Sequence, residues 1–190
     1  MLHPLAANWS ADLREKAAHI RLLALDVDGI MSDGRLYFSA NGDELKAFNI
    51  LDGLGLKQLM KAGITVAVIT GRRSPLTEKR MGDLGIHHLM QGREDKKVAL
   101  QELASTLGIQ KEQIAYMGDD LPDLPAITCA GLGLTVPNGY WLVREKADYC
   151  TRANGGFGAV REACDLILWA QGALESALKP YLGPQEPSDA

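Results

Sequence analysis

Short apolar segments of strand length alternate along this chain with longer segments of helical periodicity. The apolar segments lie at 22–25, 64–69, 87–90, 114–117 and 131–136, and the helical segments at 52–61, 75–84, 95–107, 121–128 and 157–178. Such alternation is typical of crossover units on a parallel sheet. The sequence therefore predicts an α/β fold with a Rossmann-like, doubly wound parallel sheet.

The predicted helix boundaries rest on local end signals. Ser74 and Pro75 are typical of an N-cap followed by a proline in the first turn. Gly63, Gly85 and Gly108 stand where a C-terminal glycine commonly ends a helix.

One segment, residues 35–48, departs from this alternation. Apolar residues that include Leu36, Phe38 and Leu45 flank the turn sequence Asn41-Gly42-Asp43. An Asn-Gly turn between apolar stretches is a strong hairpin signal. We therefore expect a β-hairpin that projects from the edge of the first crossover, with too many apolar side chains to remain uncovered.

The composition is that of an ordinary globular protein. With 190 residues, the chain is expected to form one domain over residues 1–182, followed by a flexible tail at 183–190. The net charge is −4 and no stripe of Lys and Arg is present, which argues against a nucleic-acid partner. No apolar run approaches a membrane span and the N-terminal residues lack a signal-peptide core, so we expect no membrane association and a cytoplasmic protein. Cys129, Cys150 and Cys164 have no Cys-x-x-Cys spacing and are expected to be reduced structural thiols.

Asp26-Val27-Asp28-Gly29 directly follow the first apolar segment, at the point where a buried strand is expected to end. Because strand side chains alternate between faces, both carboxylates are expected to point the same way, and a backbone carbonyl beside them can complete a site for a hard cation. In isolation, Asp-x-Asp-Gly is as consistent with a loop-capping turn. The ends of the other strands decide between these interpretations.

Polar groups also follow the later strands. Thr70 ends the second strand, Lys96 lies near the start of the helix after the third, and Gly118-Asp119-Asp120-Leu121-Pro122-Asp123 follow the fourth. In an open parallel sheet, functional groups gather at the carboxyl ends of the strands. We therefore expect these side chains to lie around one site.

These residue types are suited to phosphoryl transfer. A carboxylate that attacks a phosphate dianion meets repulsion of about 4 kcal/mol per charge pair at ~4 Å and an effective dielectric near 20. Magnesium bound by Asp26, the Asp28 carbonyl and one carboxylate of the 119–123 cluster can offset part of this repulsion, and Lys96 can offset more. Asp26 is then the predicted nucleophile.

Two further catalytic roles follow from the same reasoning. Thr70 can donate its hydroxyl to the phosphoryl oxygens. Asp28 can protonate the leaving alkoxide and later accept a proton from the attacking water.

Taken in order, these motifs resemble those of the haloacid dehalogenase superfamily of phosphohydrolases. They read DVDGI at 26–30, VITGR at 68–72, a lysine near a helix start, and GDDLPD at 118–123. The short separations between them leave no room for a large cap domain. Further segments are similar to the uncapped family of 3-deoxy-D-manno-octulosonate 8-phosphate phosphatases, from about residue 19 to 175. These segments are MSDG at 31–34, GDELKAFN at 42–49, DGLG at 52–55 and GGFGAVRE at 155–162.

The resemblance implies a magnesium-dependent homotetramer that removes the phosphate from an acidic sugar phosphate in lipopolysaccharide sugar biosynthesis. It further implies that the hairpins meet at the centre of the tetramer and that the glycine-rich segment 155–162 approaches a neighbouring active site. The implied metal ligands are Asp26, Asp28 and Asp119. The implied substrate contacts are Asp28, Asn49, Asp52, Gly53, Lys57, Arg72, Arg80 and Lys96.

One departure from the family leaves the sugar open. Leu51 stands before Asp52-Gly53, where the family usually has a basic residue. A phosphatase for a nine-carbon acidic sugar 9-phosphate, a broader sugar phosphatase and a non-catalytic sugar-phosphate-binding homologue therefore remain alternatives. Lys57, Arg72 and Arg80 exceed what one phosphate requires, which favours a substrate that also carries a carboxylate.

Overall fold

A computed structural model describes residues 3–183 of the chain. The strands are β1 (Leu22–Leu25), β2 (Tyr37–Phe38), β3 (Glu44–Leu45), β4 (Thr65–Thr70), β5 (His88–Gln91), β6 (Ile114–Met117), β7 (Leu132–Thr135) and β8 (Tyr149–Cys150). The α-helices are α1 (Ala11–Ala18), α2 (Ile50–Lys61), α3 (Pro75–Leu84), α4 (Lys96–Leu107), α5 (Leu124–Cys129), α6 (Trp141–Lys146), α7 (Ala159–Ala170) and α8 (Leu174–Leu178).

Six strands form one parallel sheet in the order β5-β4-β1-β6-β7-β8. The chain builds the sheet outward from β1 through β4 to β5, then crosses back and builds the other half from β6. Strand order therefore reverses between β1 and β6, which is where open α/β sheets bind their ligands. The predicted doubly wound α/β fold is confirmed.

The central strand β1 is buried on both faces, and its side chains alternate between two cores. Leu23 and Leu25 join the core beneath α1, α2, α3 and α7, while Leu22 and Ala24 join the core beneath α4, α5 and α6. This two-residue alternation is the pleat of a strand covered by helices on both sides. Among the described helices, none has both the length and the apolar character that crossing a membrane requires.

Local signals set some helix ends as predicted. The helix predicted at 75–84 is α3, although the Ser74 hydroxyl at its N-cap position makes no capping hydrogen bond. The continuous helix predicted over 157–178 is wrong, because Gly172 adopts a φ of +69° between α7 and α8. The helix predicted at 121–128 begins instead as a 3-10 turn at Leu121–Asp123 before α5.

The predicted hairpin is the antiparallel pair of β2 and β3, in which Tyr37 lies opposite Leu45. Its turn contains Gly42 at a φ of +86°, a conformation that favours glycine. Phe38 is 63% exposed and Leu45 is 62% exposed. The hairpin therefore presents apolar side chains outward.

The residues of the expected tail beyond Gly183 lie outside the described part of the chain.

Candidate active site

A cavity of about 270 Å³ opens at the carboxyl edge of the sheet, beside the point where strand order reverses. Six residues that the sequence predicted line it, namely Asp26, Asp28, Thr70, Arg72, Lys96 and Asp119. The remaining lining residues are Gly34, Gly71, Glu94, Asp120, Pro122 and Asp123. The topology thus brings the ends of four strands together, as the sequence suggested.

Lys96 forms the centre of a buried ion cluster in this cavity. Its Nζ lies 3.1 Å from Asp26 Oδ2 and 2.7 Å from Asp123 Oδ1. Burial alone would lower the pKa of Lys96, but the charges of Asp26 and Asp123 raise it above its ordinary value. Lys96 therefore stays protonated beside the predicted nucleophile.

Asp123 is fully occupied by hydrogen bonds. Its Oδ1 accepts from Lys96 and, at 2.8 Å, from the hydroxyl of Tyr116. Its Oδ2 accepts from the backbone N–H groups of Asp119 at 3.1 Å and Asp120 at 3.2 Å. Asp123 thus fixes Lys96 and the loop after β6.

The predicted metal ligands have oxygen atoms to spare. Oxygens of Asp26, Asp119 and Asp123 lie within 4.8 Å of one another. Among the described residues, nothing donates a hydrogen bond to the Asp119 carboxylate or to the main-chain carbonyl of Asp28. Because the oxygens of Asp123 are already engaged, Asp26 and Asp119 are the carboxylates that could hold a hard divalent cation. The Asp28 carbonyl as a third ligand stays a prediction.

The pKa values of two acids show the electrostatic cost of this cluster without a cation. Burial, followed by the charge of Asp123, raises the pKa of Asp26 to about 7, although Lys96 opposes the shift. Burial, followed by the charges of Asp123 and Asp26, raises the pKa of Asp119 to about 7. A bound cation would favour the ionised form of both groups.

Gly29 allows the two acidic loops to meet. It adopts a φ of +95°, and a Cβ at this position would overlap the carboxylate of Asp119. Only glycine satisfies both constraints. The glycine of Asp-x-Asp-Gly is thus explained by close packing of the loop after β1 against the loop after β6.

The Asp28 carboxylate has a different environment from that of Asp26. The chain turns after Val27, so the alternation of the strand does not continue to Asp28. Lys46 donates a hydrogen bond to Asp28 Oδ1, and Arg72 Nε lies 3.7 Å from Asp28 Oδ2. Both aspartates line the cavity, but the Asp28 carboxylate contacts cations rather than the acidic cluster.

Thr70 lies at the end of β4 and is buried. Its hydroxyl makes no hydrogen bond with the described residues and borders the cavity, so it remains available to a ligand. Arg72 follows two residues later, and its Nη2 lies 3.1 Å from Glu44 Oε1 on the hairpin.

The other predicted substrate contacts form a separate group near the start of α7, outside the cavity lining. Asn49 Nδ2 donates to the Gly156 carbonyl at 3.3 Å, and Asp52 Oδ1 accepts from the backbone N–H of Arg161 at 2.8 Å. Arg80 Nη2 donates to the Asn49 carbonyl at 3.3 Å. Asn49 and Asp52 therefore hold the glycine-rich segment in place, while Arg80 holds the backbone at Asn49. Burial raises the pKa of Asp52 to about 6.

Two further predicted contacts belong to the same region of α2. A Cβ at Gly53 would overlap the guanidinium of Arg80, so glycine allows the arginine to pack closely there. Lys57 is exposed on α2 and does not line the cavity. The substrate-binding role of all five residues stays a prediction.

The glycine-rich segment packs against the loop after β1 of its own chain. Gly156 N donates to the Ile30 carbonyl at 2.9 Å, and a Cβ at Gly155 would overlap the Gly29 carbonyl oxygen. Phe157, the next residue, is 65% exposed. The segment thus supports the loop after β1 from behind and directs an aromatic side chain outward.

Sequence reasoning missed the hairpin residues at the site. Glu44 and Lys46 lie within the GDELKAFN segment, yet no periodicity or spacing showed that their side chains reach Arg72 and Asp28. Glu94 was also missed, although it stands two residues before Lys96 and lines the cavity. The available signal was the resemblance of the GDELKAFN segment at 42–49 to the phosphatase family.

Comparison with known proteins agrees with this geometry. Residues 83–163 match the family described as haloacid dehalogenase-like hydrolase. The chain is 54% identical to the 3-deoxy-D-manno-octulosonate 8-phosphate phosphatase of Yersinia pestis over 166 residues, which are 87% of this chain and 89% of that protein. It is 51% identical to the protein of the same name from Escherichia coli strain K12 over 168 residues, 88% of this chain and 89% of that protein.

A similar solved structure is that of the enzyme of the same name from Moraxella catarrhalis, in complex with magnesium, phosphate and KDO. Its TM-score is 0.87 and its sequence identity is 49%, and the match covers 88% of this chain and 97% of that one. The parallel sheet, the acidic cluster and these matches define a haloacid dehalogenase-like hydrolase. Within that class, the chain belongs to the family of 3-deoxy-D-manno-octulosonate 8-phosphate phosphatases.

Proposed function

We propose that this protein is a magnesium-dependent phosphatase that hydrolyses 3-deoxy-D-manno-octulosonate 8-phosphate to the free sugar acid and phosphate, in lipopolysaccharide sugar biosynthesis. The observation that carries the proposal is the buried Asp26–Lys96 pair, which lies next to Asp119 at the edge of a polar cavity. The names and high identity of the relatives support the choice of substrate.

In the first half-reaction, a carboxylate oxygen of Asp26 attacks phosphorus and the bond between phosphorus and the sugar oxygen breaks. Asp28 gives its proton to the leaving sugar oxygen. Lys96 contacts the nucleophile directly and offsets the negative charge that gathers on the phosphoryl oxygens. The Thr70 hydroxyl donates to the same oxygens.

In the second half-reaction, water attacks the phosphorus of the aspartyl phosphate. Asp28, now ionised, accepts the proton of that water, and the bond between phosphorus and Asp26 breaks. Magnesium bound by Asp26, Asp119 and the Asp28 carbonyl would supply the additional positive charge that two carboxylates and a phosphate require. Asp26 and Asp28 thereby return to their starting states.

Arg72 is the residue we propose for recognising the carboxylate of the sugar acid. It lines the cavity, and its side chain is 43% exposed, so it can reach a ligand at the entrance. Its acidic neighbours are Glu44 on the hairpin and the carboxylate of Asp28. Leu51, which stands where the family usually has a basic residue, is exposed and does not line the cavity. Its presence therefore does not change the charged groups that line the cavity.

We further propose that the protein is a cytoplasmic homotetramer in which one unit, residues 1–182, forms each subunit. Support comes from the outward apolar side chains of the hairpin, because a two-stranded hairpin is marginally stable by itself and such a surface favours burial. The exposed Phe157 gives the glycine-rich segment a side chain with which to contact a neighbouring subunit's site.

Phosphate release from the purified protein with magnesium tests the function. The substrates are 3-deoxy-D-manno-octulosonate 8-phosphate, a nine-carbon acidic sugar 9-phosphate and a neutral hexose 6-phosphate. We expect the eight-carbon acid to have the highest kcat/KM and Asp26→Asn to abolish turnover of all three. A preference for the nine-carbon acid would move the assignment to that sugar, and release from none of them would favour a non-catalytic binding protein.

A further inference from the structure

Lys46 is a buried lysine at the active site that the mechanism above does not use. It directly follows β3, and its side chain is only 2% exposed. Its ammonium donates to Asp28 Oδ1, so the cation and the proposed acid form a pair inside the protein. A buried lysine is costly unless its charge is matched, which makes this placement informative.

The two oxygens of Asp28 have different environments. Oδ1 accepts from Lys46, and the Ser32 hydroxyl donates to it at 3.4 Å. Oδ2 is buried and has no hydrogen-bond partner among the described residues, and Arg72 Nε lies 3.7 Å from it. One oxygen is therefore fixed by two donors, and the other has no donor among the described residues.

We propose that Lys46 is a positioning residue that holds Asp28 Oδ1 so that Oδ2 faces the leaving oxygen of the substrate. The proposal rests on the proposed function, since it assigns Lys46 a role in that reaction. Lys46 acts only through Asp28: the proton still moves from Asp28 to the sugar oxygen as the phosphorus–oxygen bond breaks. Orientation of this kind counts because a misplacement of about 1 Å can cost roughly 100-fold in rate.

Two simpler roles fit the contacts less well. A phosphate-binding role requires an ammonium that lines the cavity, and Lys96 lines it whereas Lys46 does not. A role as a mere tether for the hairpin is already served by the ion pair of Glu44 with Arg72. Neither role explains why the lysine bonds to one oxygen of the proposed acid and leaves the other free.

The test is a double-mutant cycle of Lys46→Met and Asp28→Asn in single-turnover experiments. Release of the sugar acid from 3-deoxy-D-manno-octulosonate 8-phosphate reports the first half-reaction alone. We expect Lys46→Met to slow this release by about 10- to 100-fold in the wild-type background. In the Asp28→Asn background, we expect the same substitution to change the rate less than about threefold, because the group it positions is already lost.

A second substrate separates positioning from general damage. p-Nitrophenolate leaves without a proton, so Lys46→Met should slow the burst of p-nitrophenol from p-nitrophenyl phosphate much less than it slows release of the sugar. Where Lys46→Met does not fold, Lys46→Gln removes the charge with a smaller change in shape and should show the same difference between substrates.

Two matched variants serve as controls. Lys79→Met removes the lysine of an exposed ion pair with Asp83 on α3, and we expect wild-type rates. Glu44→Gln cuts the other contact between hairpin and site, and it should not reproduce the dependence on leaving group. If it does, Lys46 is a tether.

Three results would each overturn the proposal. They are equal losses of rate for the two substrates, additive effects of Lys46→Met and Asp28→Asn, and a change in KM without a change in kcat. In those cases the wild-type enzyme still releases phosphate, so the proposed function stands. If the wild-type protein releases phosphate from no sugar phosphate, the proposed function itself has failed.

Discussion

The acidic cluster makes the stability of the metal-free protein depend on pH near neutrality. Asp26 and Asp119 have pKa values of about 7, above the ordinary value of 3.8, and burial is the main cause for both. Because the folded-state pKa is the higher one, the stabilising contribution of each protonated group is complete below about pH 4. It is lost as the pH rises through 7.

The size of the effect follows from the linkage relation. Between pH 6 and pH 8, a carboxyl with a folded-state pKa of about 7 and a fully ionised unfolded state loses about 1.4 kcal/mol of stability. Two such groups lose on the order of 2–3 kcal/mol, which corresponds to roughly 4–10 °C in Tm for a protein of this size. Magnesium binds the ionised carboxylates, so it should recover most of this loss at pH 8 and little at pH 6.

The assay is thermal unfolding of chelator-treated protein at pH 6, 7 and 8, with and without excess magnesium. Asp119→Asn removes one of the two acids and isolates its contribution from that of histidines, which titrate in the same range. We expect this variant, without metal, to lose less stability than the wild type between pH 6 and pH 8. A magnesium-induced Tm shift that is the same at all three pH values would refute the assigned electrostatics.

Three further predictions concern single side chains. Asp28→Asn should slow turnover of the sugar phosphate by about 10²- to 10⁴-fold, and unchanged kinetics would remove its acid/base role. Gly29→Ala should weaken magnesium binding, measured by calorimetry, and should lower the free energy of unfolding in urea by about 1–3 kcal/mol more than Gly63→Ala does. Gly63 is the control because it has a similar φ of +87° but open space around it, so equal effects of the two substitutions would contradict the close contact of Gly29 with Asp119. Light scattering should show a tetramer that Phe38→Asp dissociates, and a monomeric wild-type protein would exclude the proposed hairpin interface.

The main sheet was predictable because its signals are local. Segments 22–25 and 114–117 are short apolar runs at the places where β1 and β6 form, and Pro75 and Gly85 bound α3 where the structure has it. The break between α7 and α8 was missed because the apolar pattern continues across Gly172. Periodicity records which residues are buried, whereas a single positive φ decides where one helix stops.

The candidate site was predictable to the extent that strand ends share an edge. That rule brought Asp26, Thr70, Lys96 and the acids of 119–123 to one cavity. It left three acids as alternatives for the metal, and the hydrogen bonds of the loop after β6 favour Asp119. Asp123 is saturated by four donors, and Asp120 Oδ1 caps the following 3-10 turn through the N–H of Leu121 at 2.8 Å, whereas the Asp119 carboxylate remains free for a ligand.

The hairpin shows why the rest of the site could not be read from the sequence. The segment from Asp26 to Asn49 begins after β1 with the proposed nucleophile Asp26 and the proposed acid Asp28. It then forms β2 and β3 and places Lys46 in contact with Asp28. The return depends on how the hairpin folds over the cavity, which no local pattern encodes. Packing against the exposed face of the hairpin in the proposed tetramer would order β3 and, with it, the Lys46 side chain that contacts Asp28. The proposed assembly through the hairpin would therefore also affect the proposed orientation of Asp28, because Lys46 directly follows β3.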